Sequence, residues 1–168
     1  VVQKVLIEEL TGVRCVNCPV GTAEVLRLQE FLGEQVIAVA LHAGSFAIPY
    51  DDSQGDFRIP ETASLLNYLC SPLGYPSAVI NRKLYEGERD LQLSRGLWPI
   101  FTSQEIQGAA TLKIDVNTLF NATSRELRVD IDVEALAAIN TPILKLSVML
   151  VEDRVMDVQL TPDGKKSD

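Results

Sequence analysis

The spacing of hydrophobic and polar residues predicts a strand, a helix and a second strand in the first 42 residues. "KVLIEEL" (Lys4–Leu10) is short and rich in apolar residues, which is typical of a buried strand. From Pro19 to Leu32 the apolar residues recur at helical spacing, and Gly33 is well placed to end that helix. "VIAVALH" (Val36–His42) is apolar almost throughout, which favours a parallel strand covered on both faces.

The next segments continue the alternation of helices and strands. Pro60–Cys70 predicts a helix, with a proline and a glutamate in its first turn. Pro76–Gly87 predicts a strand that turns near Asn81-Arg82 into a second short strand, and Leu97 to Gln107 predicts a further helix. The order β-α-β-α-β-β-α indicates an α/β domain whose first β-α-β unit is parallel with a right-handed crossover.

From Thr111 onward the spacing changes to a period of two. Three segments alternate apolar and polar residues: Leu112 to Asn117, Leu127 to Val133 and Leu144 to Leu150. This pattern predicts three strands of a half-exposed antiparallel sheet. We therefore expect residues 1–109 and 110–168 to form separate domains, the second being the start of an antiparallel β-sandwich-like domain. A longer native protein or a dimer would cover its apolar face.

Composition narrows the classes of function. The chain has 168 residues, of which 46% are hydrophobic, and a formal net charge of −8. An acidic chain repels phosphate backbones, so we expect no nucleic-acid partner. No stretch approaches the length that spans a bilayer, and Val1 opens directly on strand-like sequence with no signal peptide. Three cysteines are an odd number, which disfavours a purely structural disulfide framework.

Two of the cysteines, Cys15 and Cys18, form a C-x-x-C motif between the first strand and the first helix. Unpaired N–H groups and the helix dipole stabilise a thiolate there, and Arg14 adds positive charge. We expect Cys15 to be the more exposed, attacking thiol and Cys18 to resolve the mixed disulfide. Two alternatives stay open: a pair of packed cysteines, or a zinc site completed by His42 and Cys70.

His42 ends the second strand at the sheet edge where Cys15 is expected, because parallel strands place their carboxyl ends together. The imidazole would then tune the thiolate or move protons. The alternative is a strand-end histidine that is hydrogen-bonded to a loop. Cys70 is expected to be a buried helix residue or, alternatively, a third thiol near the proline loop that follows.

The element order, with C-x-x-C before the first helix, resembles the thioredoxin fold. The resemblance implies that Glu9 is a buried acid that exchanges protons with the second cysteine, although thioredoxins carry aspartate there. On sequence grounds alone Glu9 is expected at the surface, because Glu8 faces the other way and one of the two must be exposed. The resemblance also implies a cis Tyr75–Pro76 bond facing the cysteines, which would present backbone groups to an extended substrate and exclude metals.

A closer resemblance rests on "IEELTGVRCVNCPVG", "LHAG" and "GYPSAVINR", followed by the alternating region. These segments resemble the Bacteroidetes outer-membrane lipoproteins known as the outer membrane protein of 28 kilodaltons. The resemblance implies an exported protein in the cell envelope, at the outer membrane or in the periplasm. Membrane association would occur only through an N-terminal lipid anchor that is absent from this chain. Adhesin or receptor roles have been suggested for the family.

The leading hypothesis is a thiol–disulfide oxidoreductase of the cell envelope. Cys15 is its nucleophile and Cys18 its resolving thiol, with Glu9, His42 and Pro76 completing the site. Its partners are proteins that carry a disulfide or a dithiol, and no cofactor or metal is expected. The first alternative is a non-catalytic outer-membrane binding or adhesion module on a thioredoxin-like scaffold. A copper or zinc carrier is the second.

Overall fold

A four-stranded mixed sheet forms the centre of the molecule. The computed structural model describes residues 1–69, 73–141, 143–164 and 166–167. The strands are β1 (Val5–Thr11), β2 (Val36–His42), β3 (Ser77–Ile80) and β4 (Gln92–Ser94), in the spatial order β2-β1-β3-β4. β1 is parallel to β2, as predicted, and antiparallel to β3, and β3 is antiparallel to β4.

Three helices alternate with these strands in the predicted order. They are α1 (Cys18–Leu32), α2 (Pro60–Leu69) and α3 (Trp98–Ile106). α1 has a proline in its first turn and ends at Gly33, whose φ of 61° suits a residue without a Cβ. The prediction for Cys70 lies outside the described residues.

The helices cover both faces of the sheet. On one face Val5 and Ile7 pack against Val25 of α1 and Trp98 of α3. On the other face the core cluster joins β1 and β3 to α2, through the side chains of Leu10, Leu66, Leu69 and Val79. β1 is therefore buried on both sides, and each fully buried apolar side chain of this size contributes about 2 kcal/mol.

The predicted short strand directly after Asn81-Arg82 is wrong. Both residues have positive φ angles, 49° and 50°, so the chain turns out of the sheet there. The Asn81 side chain fixes the turn, because its Oδ1 accepts from the Leu6 N–H at 2.8 Å. The chain then runs without regular structure to β4 at Gln92.

The alternating region forms a hairpin rather than a three-stranded sheet. β5 (Leu112–Asn121) and β6 (Glu126–Ala135) pair along ten residues in antiparallel register. Residues 143–151 form no strand, so the predicted third strand is wrong. The hairpin is exposed on both faces, and Leu144 and Leu146 in that stretch are exposed as well. Among the described residues no second layer packs against the hairpin, so a third strand would bury little apolar surface.

From residue 157 the chain packs against the loops that follow β1 and β2. β7 (Gln159–Leu160) and β8 (Lys166–Ser167) form a small antiparallel pair, and the Leu160 N–H donates to the Val13 carbonyl at 2.8 Å. The fold is thus mixed α/β, with a four-stranded sheet and separate two-stranded sheets. The division into domains at residue 110 stays a prediction. In the described part of the chain, no helix has the length and apolar character needed to cross a membrane.

Candidate active site

The two cysteines of the C-x-x-C motif are joined by a disulfide, with their Cα atoms 5.3 Å apart. Cys18 is the first residue of α1, one residue before the predicted start at Pro19, and Cys15 lies in the turn just before the helix. That turn is built by the Cys15 N–H donating to the Gly12 carbonyl at 3.0 Å and the Cys18 N–H donating to the Cys15 carbonyl at 3.2 Å. The pair therefore lies between the end of β1 and the positive end of a helix dipole.

Both cysteines are buried in the disulfide form, so the prediction that Cys15 is the more exposed of the two stays a prediction. Cys15 is 2% exposed and Cys18 is 1% exposed. The sequence pattern placed Cys15 in a turn, where exposure is usual, but it carried no sign of the segments packed around that turn. Access of another thiol to this disulfide consequently requires some movement of the surrounding chain.

Glu9 is buried, which corrects the expectation that it lies at the surface. It is 3% exposed, and both of its carboxylate oxygens lie 3.3–3.4 Å from the Thr22 hydroxyl of α1. Burial raises the pKa of Glu9 to about 7, and the hydrogen bond from Thr22 opposes that rise. Glu9 can thus gain or lose a proton close to neutral pH.

Glu8 is buried as well, on the other face of β1, at 0% exposure. Arg82 makes this possible, because its guanidinium donates to both Glu8 oxygens at 2.6 and 2.9 Å. The expectation that one of the two glutamates must be exposed was wrong because each carboxylate finds a polar partner inside the fold.

Pro76 is close to Glu9 at the first turn of α1. A Cβ placed on Gly21 would come within 2.8 Å of both the Glu9 Oε1 and the Pro76 Cβ, so the three groups converge there. The Tyr75–Pro76 peptide bond is cis, as the resemblance implies. Pro76 also lines a shallow cavity of about 410 Å³ together with Asn17 of the C-x-x-C motif.

His42 pairs with Thr11 at the carboxyl ends of β2 and β1, the sheet edge that was predicted. Its ring packs edge-on against Phe57 with centroids 5.1 Å apart, and burial lowers its pKa. Among the described residues no partner lies within hydrogen-bond distance of its Nδ1. His42 lines a different cavity from Pro76, one bounded by residues 43–48 and the start of α2.

Arg14 is engaged by the loop that follows β2. Its guanidinium donates to the carbonyls of Ile48 and Pro49, each at 2.7 Å, and lies 4.2 Å from the Tyr50 ring centroid. The charge therefore anchors this loop against the C-x-x-C turn.

Two residues of this region escaped the sequence reasoning, and a third, Tyr75, was considered only for its peptide bond to Pro76. Thr22 lies thirteen positions from Glu9, and Gln159 lies 144 positions from Cys15, whose carbonyl it contacts. No local pattern signals either pairing. Tyr75 packs against Phe46 with centroids 5.3 Å apart, and its place before the proline was a usable signal.

No group of three or more histidine, cysteine, aspartate or glutamate side chains is arranged to hold a metal ion within residues 1–69, 73–141, 143–164 and 166–167. The predicted zinc alternative needs four ligands, and Cys70, one of its members, lies outside these ranges.

Comparison with solved structures gives a neighbour for the fold. The chain is similar to HBP35 of Porphyromonas gingivalis, with a TM-score of 0.52 at 20% sequence identity. It is also similar, at a TM-score of 0.48 and 15% identity, to an X-ray crystal structure of a protein from Agrobacterium tumefaciens, covering 78% of this chain and 57% of that one. No protein-family model and no curated protein matches the chain.

The match to HBP35 covers 70% of this chain and 37% of the other, so the chain spans little more than a third of the length of that protein. At this identity the likeness shows a shared mixed α/β fold.

Proposed function

We propose that the protein is a thioredoxin-like thiol–disulfide oxidoreductase of the bacterial cell envelope. The observation that carries the proposal is the Cys15–Cys18 disulfide at the start of α1, with Glu9 and the cis Pro76 converging three residues further along that helix. Membership of the outer membrane protein of 28 kilodaltons family, with a second domain from residue 110, belongs to the same proposal.

The reaction begins with the reduced protein. The Cys15 thiolate attacks one sulfur of a partner disulfide, forming a mixed disulfide and releasing the partner's other sulfur as a thiolate. The Cys18 thiolate then attacks the Cys15 sulfur, which closes the intramolecular disulfide and releases the partner's second thiolate. The partner gains two electrons and this protein loses two. The same steps in reverse oxidise a partner dithiol.

Glu9 is the proton carrier of this scheme. The carboxylate form accepts the proton of the Cys18 thiol before Cys18 attacks, and the carboxylic acid returns a proton to Cys18 in the reverse direction. A pKa of about 7 suits both roles, because both forms are populated near neutral pH. Thr22, an exposed residue of α1, connects the buried carboxylate to the protein surface.

Reduction of insulin by dithiothreitol tests the proposal. The protein should accelerate precipitation of the insulin B chain, whereas Cys15→Ser should lose more than about 90% of the acceleration, because the nucleophile is absent. Cys18→Ser should trap a mixed disulfide with insulin that is visible by mass spectrometry. Cys70→Ser serves as the matched cysteine control and should keep the activity. Equal rates for the unchanged protein and Cys15→Ser would exclude the proposal.

A binding or adhesion module is the second candidate. The burial of both cysteines favours it, since a disulfide that is only 1–2% exposed is typical of a structural crosslink. On this alternative the disulfide would withstand strong reductants in the folded protein, and none of the cysteine variants would change insulin reduction.

A further inference from the structure

The C-terminal part of the chain lies against the turn that carries the C-x-x-C motif. The Leu160 N–H donates to the Val13 carbonyl at 2.8 Å. The side-chain amide of Gln159 donates to the Cys15 carbonyl at 3.2 Å and to the Gly12 carbonyl at 3.4 Å. Residues 159–160 thus use one main-chain and one side-chain amide to occupy three carbonyl acceptors. We name these acceptors, on Gly12, Val13 and Cys15, the carbonyl edge.

Further contacts hold the same segment beside that edge. The Asp157 carboxylate accepts from the backbone N–H groups of Gln54 and Gly55 at 2.9–3.0 Å. The Lys166 ammonium pairs with Asp52 and lies 4.9 Å from the Tyr50 ring centroid. Residues 157–160 and Lys166 are therefore tied both to the C-x-x-C turn and to the loop that follows β2.

The packing is local to this segment. Val158 is 7% exposed, whereas Val155 and Met156 just before it are 46% and 65% exposed. The chain is exposed through residues 143–156 and is buried or half-buried from residue 157 to 160, where it meets the loop after β2 and the carbonyl edge. This burial coincides with that of Cys15, whose carbonyl is one of the three acceptors.

We propose that the carbonyl edge is an interaction surface for an extended polypeptide segment and that residues 157–160 occupy it within this chain. While they are in place, these residues keep the Cys15–Cys18 disulfide inaccessible to an attacking thiol. We call this effect closure of the disulfide. An extended partner suits the edge, because the edge offers acceptors only and an extended chain supplies main-chain N–H groups. The contacts of Gln159 favour a partner with a glutamine or asparagine at the matching position. The inference that this partner is a substrate rests on the proposed function. The inference that residues 157–160 cover the disulfide is independent of it.

Reduction of the disulfide by dithiothreitol tests the closure. Dithiothreitol reduces Cys15–Cys18 to two thiols and is itself oxidised to the cyclic disulfide, and the new thiols are counted by maleimide labelling in a Cys70→Ser background. Leu160→Pro removes the N–H that reaches Val13, and we expect reduction to become roughly tenfold faster, the effect of losing about 1.4 kcal/mol. Gln159→Ala, a milder change, should give a smaller increase.

The control is Leu146→Pro, in the exposed stretch before the segment, which should reduce at the original rate. Circular dichroism and the thermal midpoint verify that each variant is folded. The closure is overturned if folded Gln159→Ala and Leu160→Pro both reduce at the original rate, or if Leu146→Pro accelerates reduction equally.

The binding surface is tested in trans with a synthetic peptide, "VMDVQLTP", which has the sequence of residues 155–162. Added to Leu160→Pro, it should slow reduction towards the original rate, and a peptide with alanine in place of the glutamine should do so at a higher concentration only. No effect of either peptide, or equal effects of both, would overturn the surface. If the protein does not accelerate insulin reduction, the proposed function is excluded. The rates at which dithiothreitol reduces the Cys15–Cys18 disulfide would still test the closure and the binding surface.

Discussion

Glu9 makes the stability of the protein depend on pH. Its pKa is about 7 in the folded protein, where burial disfavours the charged form, and 4.5 is its ordinary value. Between these values the folded protein holds a proton that the unfolded chain has released. The stabilising contribution is complete below pH 4.5 and is lost as the pH rises through 7. At 1.36 kcal/mol per pKa unit, the loss amounts to about 3 kcal/mol.

Glu9→Gln should remove this dependence, because the amide does not ionise. Urea unfolding of both proteins at pH 5 and pH 8 measures it: the unchanged protein should lose up to about 3 kcal/mol more than the variant. The lowered pKa of His42 acts in the opposite direction, but it is present in both proteins and cancels in the comparison. Parallel losses in the two proteins would show that Glu9 ionises normally.

At the scale of single residues, the sequence was informative where the chemistry is local. The spacing of Cys15 and Cys18 predicted their pairing, and the proline in "GYPSAV" was assigned its cis bond through resemblance. The strand pattern did not predict that Glu8 and Glu9 are both buried, although the resemblance implied burial for Glu9, because their burial depends on Arg82 and Thr22, which are distant in the chain. The pattern of apolar and polar residues along a strand does not show whether another element supplies a hydrogen-bond partner to one of its side chains.

Elements with a continuous apolar run or a helical stripe were predicted within one or two residues, as α1 and β2 illustrate. The buried face of such an element can be identified from the spacing of its own apolar side chains. The strand predicted within residues 143–151 was wrong because alternation defines the apolar face of a strand but does not specify the neighbouring strand with which it pairs. The position of the turn at Asn81-Arg82 was predicted correctly. The positive φ angles of these two residues, which direct the chain out of the sheet, were not predicted.

The hairpin of β5 and β6 should open far more readily than the central strand. Its residues are exposed on both faces, so few apolar contacts oppose fraying, whereas β1 is buried on both faces. In hydrogen–deuterium exchange followed by mass spectrometry, amides of Val5–Thr11 should exchange at least roughly a hundredfold more slowly than those of Leu112–Asn121. Equal protection would indicate that the hairpin is covered in solution.

For the whole molecule, the exposed irregular segments should decide where proteolysis begins. Arg125 lies in the turn of the hairpin, and Lys145 and Arg154 lie in exposed chain without regular structure. A trypsin time course read by mass spectrometry should show these three cleavages first. Arg14 and Arg82 are held by hydrogen bonds and should be cut later. Early cleavage after either of them would mean that the C-x-x-C turn or the end of β3 opens readily.

The adjacent glutamates of β1 also fix the alignment of the central strand against its neighbours. A shift of one residue in one direction would move Glu9 into the place of Leu10, among Leu66 and Leu69. A shift in the other direction would move Glu8 into the place of Ile7, against Val25. Either slip buries an unpaired carboxylate in an apolar cluster. The two glutamates thus raise the free energy of misaligned pairings of a mostly apolar strand. Apolar side chains alone would discriminate less strongly between the correct pairing and a shifted one.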